Sequence, residues 1–194
     1  MPFSSTDIVA RWVGPHQRPA AAGAKITGLA ADSHFAAALL TLWHRVSQND
    51  GGLDFGPTAG RAEIAVAVTD VVNGLRAGTR YAVALTAGNE LVAIAFLIPR
   101  VYQLVAHVGE VRFVMVDPDH HGRGLGRQLM AEISRLAGTV GVTLLTLGVR
   151  AGRERFFVQQ GFIEYGRLPA AIRLPDGSSF DEILYRQPRV TDAL

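Results

Sequence analysis

The feature of the sequence with the clearest chemistry is a run of three alternating glycines that follows an apolar segment. Its residues are His121, Gly122, Arg123, Gly124, Leu125 and Gly126. Glycines let successive backbone N–H groups converge on one point, and a helix that begins there adds a partial positive charge. Arg123 and Arg127 add full positive charges. The segment therefore predicts a site for a phosphate or diphosphate group; the alternative is a glycine-rich turn that holds no ligand.

Two common nucleotide-binding motifs do not fit this segment. The P-loop ends in Gly-Lys-Ser/Thr, and no lysine follows these glycines. The dinucleotide fingerprint has the spacing G-x-G-x-x-G and an acidic residue about 20 positions later. Here the spacing is G-x-G-x-G, late in the chain. A phosphate ligand of another kind is therefore expected.

Acidic side chains upstream of the glycines are candidates for accepting a proton or for attracting a cation. Glu110 lies on a predicted strand, where a partly buried carboxylate can accept a proton, directly or through water. The alternative is a strand-end glutamate in solvent or paired with Arg112. Asp50 and Asp54 lie in a predicted loop, where their negative charge would attract a cation. The alternative for these two residues is an ordinary solvated loop.

Hydrophobic periodicity and turn residues indicate the elements that would position these groups. Asp32 or Ser33 is expected to cap a first helix, and Gly88-Asn89 predicts a hairpin turn. The inward positions of that first helix are Phe35, Leu39, Leu42, Trp43 and Val46. The predicted strands are Lys25–Leu29, Tyr81–Thr86, Leu91–Ile98, Glu110–Val116, Thr143–Val149, Phe162–Leu168 and Phe180–Arg186. The further predicted helices are Ile64–Leu75, Gly126–Val140 and Glu154–Gln160, with a loop at Ser47–Gly60. The result is a mixed α/β domain whose middle reads strand, glycine-rich loop, helix, strand.

Length and composition indicate the class of protein. The 194 residues are 48% hydrophobic, which predicts a globular domain. Residues 1–23 contain three prolines and are expected to form a partly ordered arm, with a single domain at 24–194. The net charge of only +2 does not favour nucleic-acid binding. The longest apolar run, Leu91–Ile98, is too short to span a membrane.

The absence of cysteine narrows the chemistry further. Without a thiol the chain has no disulfide, no thiolate metal ligand and no cysteine nucleophile. His120 and His121 have no third ligand at a suitable spacing, so no metal site is predicted. The N-terminus lacks the apolar core of a signal peptide, and a cytoplasmic protein is expected.

Two segments resemble signatures of the GNAT family of N-acetyltransferases. The family's loop reads Gln/Arg-x-x-Gly-x-Gly/Ala after a strand that ends in an apolar-x-Pro segment. Here it is residues 121–126, preceded by Val116-Asp117-Pro118, with His121 in the first position. The family's later segment, Phe-Tyr-x-x-x-Gly-Phe, corresponds to Phe156–Phe162. The stretches GRGLGRQLM and RLPAAIRLPDGSSFDEILY also resemble the tabtoxin-resistance branch, which acetylates a small amine toxin.

The resemblance implies a fold, a cosubstrate and roles for particular residues. The fold would be α/β, with a mostly antiparallel central sheet, splayed strands and flanking helices. The cosubstrate would be acetyl-CoA, with its pyrophosphate on the backbone amides of residues 121–126. Val114, Met115 and Val116 would pair with the pantetheine arm. Glu110 stands eleven residues before His121, the offset of the catalytic glutamate in the histone-acetylating branch. The loop with Asp50 and Asp54 corresponds to a part of the family's acceptor site, where its negative charge would attract a cationic amine.

Position 157 departs from the family pattern. Relatives usually place a tyrosine there, whose hydroxyl protonates the leaving thiolate, whereas this chain has Phe157. Two functions from different classes therefore stand side by side. The first is transfer of acetyl from acetyl-CoA to the primary amine of a small molecule by direct attack. The alternative is a catalytically weak or inactive CoA-binding module that acts as a sensor or interaction partner. The sequence identifies neither the amine nor whether the protein is a homodimer.

Overall fold

The computed structural model describes residues 8–14, 30–50 and 54–187. One seven-stranded sheet forms its centre, and helices pack on both faces of the sheet. In chain order the elements are β1 (Ile8–Val13), α1 (Ser33–Asp50), α2 (Arg61–Ala77), β2 (Tyr81–Ala87), β3 (Glu90–Pro99), β4 (Val108–Val116), α3 (Leu125–Thr139), β5 (Leu144–Arg150), α4 (Arg155–Gln159), β6 (Ile163–Arg173) and β7 (Ser179–Arg186).

The strand order is β1-β2-β3-β4-β5-β7-β6. Neighbouring strands are antiparallel except β4 and β5, which run parallel because α3 connects them by a crossover. The predicted fold class, a mixed α/β domain with a mostly antiparallel sheet, is confirmed. The parallel pair lies in the middle of the sheet, directly before and after the glycine-rich loop and α3.

Two hydrophobic layers enclose the sheet. On one face, Leu129 and Ile133 of α3 are buried against strand residues such as Leu85. We call this the α3 face. On the other, Trp43 of α1 is buried together with α2 and with strand residues such as Phe96, and we call this the α1/α2 face. None of the helices in the described ranges is long and apolar enough to cross a lipid bilayer.

Helix α1 begins as predicted and ends later than predicted. The Asp32 carboxylate accepts a hydrogen bond from the Phe35 amide at 2.9 Å, which makes Asp32 the cap. The polar run from Ser47 predicted a loop, yet the helix continues to Asp50. The cause is burial, since Ser47 lies one turn after Trp43 on the inward face and is itself fully buried. Tertiary packing overrides the local preference of these residues.

The N-terminal segment also differs from the prediction. Within the region assigned to a partly ordered arm, Ile8–Val13 forms β1 and pairs antiparallel with β2 at six positions. Ile8 and Trp12 pack against the core of the α3 face, and Val13 is buried on the α1/α2 face. This alternation is what a strand between two layers requires. The predicted strand Lys25–Leu29 and the rest of the arm lie outside the described residues.

Candidate active site

Strands β4 and β5 diverge after a short paired stretch. They pair only at Val108–Leu144, Gly109–Leu145 and Glu110–Thr146. Beyond Thr146, β5 continues its pairing with β7, while β4 continues its pairing with β3. Between them lies an opening, bounded by residues 111–116 of β4 and 147–150 of β5, which we call the β4–β5 cleft. The splayed strands that the resemblance implied are present.

A β-bulge in β4 shapes one wall of this cleft. Met115 pairs with Ile94 and Arg112 pairs with Phe96, so β4 contains one more residue than β3 over this stretch. Phe113 absorbs the extra residue with a φ of 51°, and its ring lies 4.7 Å from that of Trp43. As a result Phe113 turns into the core of the α1/α2 face beside Arg112.

Arg112 connects two residues predicted for the site. Its guanidinium lies 2.9 Å from the Asp54 carboxylate and 3.7 Å from that of Glu110. Glu110 is 48% exposed and Asp54 is 62% exposed, so Glu110 is more open to water than the sequence suggested. The structure brings both residues to one end of the cleft. It also shows the ion pair between Glu110 and Arg112, which was the alternative interpretation of Glu110. In this half-exposed setting the ion pairs stabilise the fold only weakly.

The start of the glycine-rich loop is anchored to α1. Asp117 is buried, and one of its oxygens lies 2.9 Å from the Arg45 guanidinium. Its other oxygen accepts a hydrogen bond from the Asp119 amide at 2.9 Å. Arg45 also lies 2.6 Å from the Asp119 carboxylate. Sequence reasoning missed this anchor, because Arg45 is more than 70 residues away from both aspartates.

The loop itself presents backbone amides that have no partner within the described ranges. Gly122 and Gly124 have φ values of 74° and 76°, and a side chain at either position would project into open space. Gly124 is the N-cap of α3, and no side chain caps the helix. Among the described residues, no hydrogen bond is donated by the amides of residues 122–127. The helix start is therefore open to an anion.

His121 has a structural role at the entrance to the loop. Its amide donates to the Pro118 carbonyl at 3.3 Å, so the free amides begin one residue later than predicted. Its ring nitrogen lies 3.1 Å from the Val116 carbonyl oxygen and can donate to it. Arg123 and Arg127 are exposed and form no ion pair within the described part of the chain. Their positive charges are therefore available to an anion at the loop.

Helix α4 lies against the first turn of α3. A Cβ atom at Gly126 would come within 3.0 Å of the Phe156 ring, so this glycine allows the close approach. Phe157 is half-buried, with its ring 5.0 Å from that of Phe156 and 6.3 Å from that of Phe162. Position 157 thus lies within a cluster of three aromatic rings, of which Phe156 contacts the first turn of α3.

The remaining predicted residues have mixed placements. Met115 is fully buried in the α1/α2 face, while Val114 and Val116 pack against the α3 face. Their side chains are core, so only their backbone groups can reach the cleft. Asp50 is the last residue of α1. Tyr185, which was not predicted for the site, is buried on the α3 face, where burial together with the charges of nearby carboxylates raises the pKa of its hydroxyl.

Comparisons with known proteins agree with this geometry. Residues 77–164 match the family model of the acetyltransferase (GNAT) domain, a range that contains the cleft, the loop and α4. An acetyltransferase of the GNAT family from Streptococcus pneumoniae is similar at 16% identity, with 93% of this chain and 98% of that chain covered and a TM-score of 0.68. The ribosomal-protein-alanine N-acetyltransferase from Brucella melitensis is similar at 22% identity, with 81% of this chain and 96% of that chain covered and a TM-score of 0.66.

A third similar structure contains a ligand. The protein yncA from Salmonella typhimurium, solved with its cofactor acetyl-CoA, is similar at 14% identity over 96% of this chain and 95% of that chain, with a TM-score of 0.66. The fold of this protein is therefore that of the GNAT acetyltransferases. Acetyl-CoA is the cosubstrate of those enzymes. No cluster of three or more metal-ligating side chains occurs in the ranges that the structure describes.

The contact between Gly126 and Phe156 predicts that a valine destabilises the protein at the start of α3 but has little effect near its end. Gly126→Val should lower the free energy of unfolding by about 1–3 kcal/mol, because the added methyl groups must displace the aromatic ring. Gly138→Val, in the last turn of the same helix, meets open space and should change it by less than about 0.5 kcal/mol. Urea denaturation of both variants measures the difference, and equal effects would contradict the close approach.

Proposed function

We propose that this protein is an acetyl-CoA-dependent N-acetyltransferase that acts on the primary amine of a small molecule by direct attack. The observation that carries the proposal is the position of the β4–β5 cleft. It opens beside a loop of unpartnered amides at one end and beside two carboxylates at the other. The GNAT fold and the domain match over residues 77–164 support the same reaction class.

In this proposal the loop holds the pyrophosphate of acetyl-CoA. The amides of Gly122, Arg123, Gly124, Leu125 and Gly126 would donate to phosphate oxygens. Arg123 and Arg127 would add charge, since neither is neutralised within the described residues. His121 would act indirectly, because its ring holds the Val116 carbonyl and so fixes the turn from strand to loop.

The pantetheine arm would run along the free edge of β4. From residue 111 onward this edge has no partner on the β5 side within the described chain. An arm with two amide groups can add to such an edge through main-chain hydrogen bonds. The backbone groups of Val114, Met115 and Val116 would make these bonds while the three side chains stay in the core.

The chemical step needs a neutral amine and an open path to the thioester. The amine nitrogen attacks the thioester carbonyl carbon, the carbon–sulfur bond breaks, and the amine loses a proton. Glu110 would accept that proton, directly or through water, because its half-exposed carboxylate stands where the cleft begins. The CoA thiolate would take its proton from water, since Phe157 has none to donate.

The acceptor would approach from the α1/α2 face. Asp54 is held there by Arg112, and α1 ends nearby in sequence at Asp50. Negative charge at this side would attract a cationic amine. The resemblance to the tabtoxin-resistance branch favours a small amine toxin as acceptor. The cytoplasmic location expected from the sequence composition is part of the same proposal. The alternative, a CoA-binding module without catalysis, is favoured by one observation: Phe157 packs among aromatic rings and carries no hydroxyl.

The loop assignment is tested by Gly124→Asp. An aspartate there adds negative charge where the pyrophosphate would sit and should raise the Kd for acetyl-CoA at least a hundredfold, as measured by calorimetry. Gly124→Asn is the matched control, because asparagine has similar bulk and also tolerates positive φ. A folded Gly124→Asp protein that binds acetyl-CoA as tightly as the Asn variant would remove the loop from the site.

The role of Glu110 is tested by Glu110→Gln. Loss of a general base should lower kcat by about 10²- to 10⁴-fold at neutral pH. The loss should shrink at high pH, where the amine is already neutral. Glu63→Gln is the control, since Glu63 is an exposed glutamate in the first turn of α2 and is not one of the residues proposed for the site. Identical pH–rate profiles for Glu110→Gln and wild type would exclude the general base.

Phe157→Tyr separates the two candidate functions. If position 157 faces the CoA sulfur, the new hydroxyl can protonate the leaving thiolate and raise turnover. If the protein is a non-catalytic CoA-binding module, acetyl-CoA affinity should stay near wild type and no transfer should appear. Phe156→Tyr places the same hydroxyl on the neighbouring ring as a control. Thiol release with a panel of amines, together with Tm, gives the result; a lower Tm without faster transfer would place residue 157 away from the sulfur.

A further inference from the structure

A glutamate from β7 reaches over β5 into the wall of the cleft. A Cβ atom at Gly148 would overlap the Oε1 atom of Glu182 and lie 2.9 Å from its Cδ. Only a glycine at position 148 leaves room for the carboxylate in this place. Gly148 is two residues beyond Thr146, the last β5 residue that pairs with β4. The carboxylate of Glu182 therefore lies where the two strands have separated.

Strand register places this carboxylate on the same face as Glu110. Glu110 pairs with Thr146, and Gly148 and Arg150 follow Thr146 on the same side of β5. Glu182 pairs with Arg150, so it too points to the α1/α2 face. With a strand spacing of about 4.8 Å and a rise of about 3.3 Å per residue, roughly 8 Å separates the backbone of residue 110 from that of residue 148.

The two carboxylates differ in their partners. Glu110 shares Arg112 with Asp54. The Glu182 carboxylate forms no hydrogen bond or ion pair with any residue that the structure describes. Arg150, its neighbour across the strands, stacks on the Phe180 ring at 5.2 Å. The Glu182 carboxylate is half-buried, lies over a glycine beside the cleft and pairs with no cation of the described residues, so it is suited to bind a cationic group.

We propose that Glu182 is a specificity-determining residue that binds a second, non-reacting ammonium group of the acceptor. The reacting amine would lie near Glu110 and the second cation over Gly148. The acceptor class is therefore a diamine, or a small molecule with two amino groups at comparable spacing. This inference rests on the proposed acetyl transfer, and it assigns to the acceptor a charge that the reaction itself does not require.

The test compares two probes that differ only in the second amino group, 1,4-diaminobutane and butylamine. Wild-type protein should acetylate the diamine with a kcat/KM at least tenfold higher than that for butylamine. Glu182→Gln should remove most of this preference by raising the KM for the diamine, because the second amino group binds but does not react. The kcat/KM for butylamine should stay within twofold of the wild-type value. Glu63→Gln, an exposed glutamate in the first turn of α2, is the control and should change neither.

Gly148→Ala is the decisive second variant, because it leaves the charge in the protein. The added methyl group must push the Glu182 carboxylate aside, and only the end of a flexible side chain has to move. The variant should fold and lose the same preference as Glu182→Gln. Equal acetylation of both probes by wild type, or an equal loss for both probes in Glu182→Gln, would overturn the assignment.

Calorimetric titration of 1,4-diaminobutane into CoA-saturated protein separates this inference from the proposed function. Wild-type protein should bind the diamine, and Glu182→Gln should bind it at least tenfold more weakly. If the diamine binds through Glu182 but is not acetylated, the cation site is supported and the transferase proposal is overturned. If butylamine is acetylated but the diamine does not bind, the role of Glu182 is overturned and the transferase proposal is supported.

Discussion

The divergence of β4 and β5 is the constraint on which the rest of the structure depends. Each strand keeps a full partner on its outer side, β3 for β4 and β7 for β5, while the two share only three paired positions. Backbone donors and acceptors that lose a strand partner must find another, in water or in a ligand. The edge of β4 beyond Glu110 is therefore a place where an amide-containing arm can replace the missing strand. The cleft is a consequence of the sheet, because the strands that form its walls keep their pairing with β3 and β7.

Packing on the two faces keeps this opening in place. Helix α3 buries Leu129 and Ile133 on one face, and α1 buries Trp43 against the bulged part of β4 on the other. The ion pair between Arg45 and the buried Asp117 joins α1 to the turn that follows β4. These contacts fix the end of β4, the start of the loop and the first turn of α3 as one unit, so that the free amides of the loop stand at the end of the cleft.

Charge is divided between the two ends of the cleft. The loop end combines a helix N-terminus with the exposed Arg123 and Arg127, which suits a phosphate. The opposite end carries Glu110, Asp54 and Glu182, and only the first two share a cation with one another. Two substrates of opposite charge can thus approach from different sides and meet where the strands part. This arrangement suits the proposed transfer reaction, because the cosubstrate is anionic and the acceptor amine is cationic before it loses its proton.

The sequence by itself determined the features that depend on neighbouring residues. The periodicity of Phe35, Leu39 and Trp43 predicted α1, and the alternating glycines predicted an anion loop at a helix start, because spacing along the chain sets both. Only the tertiary structure decided the pairing of β1 with β2, the Arg112 contact with Asp54 across 58 residues, and the position of Glu182 over Gly148. These contacts join residues far apart in the chain, and local patterns carry no information about which distant strand or side chain will be the neighbour. Packing also extended α1 through Ser47, since burial on the inward face outweighed the loop preference of the local residues.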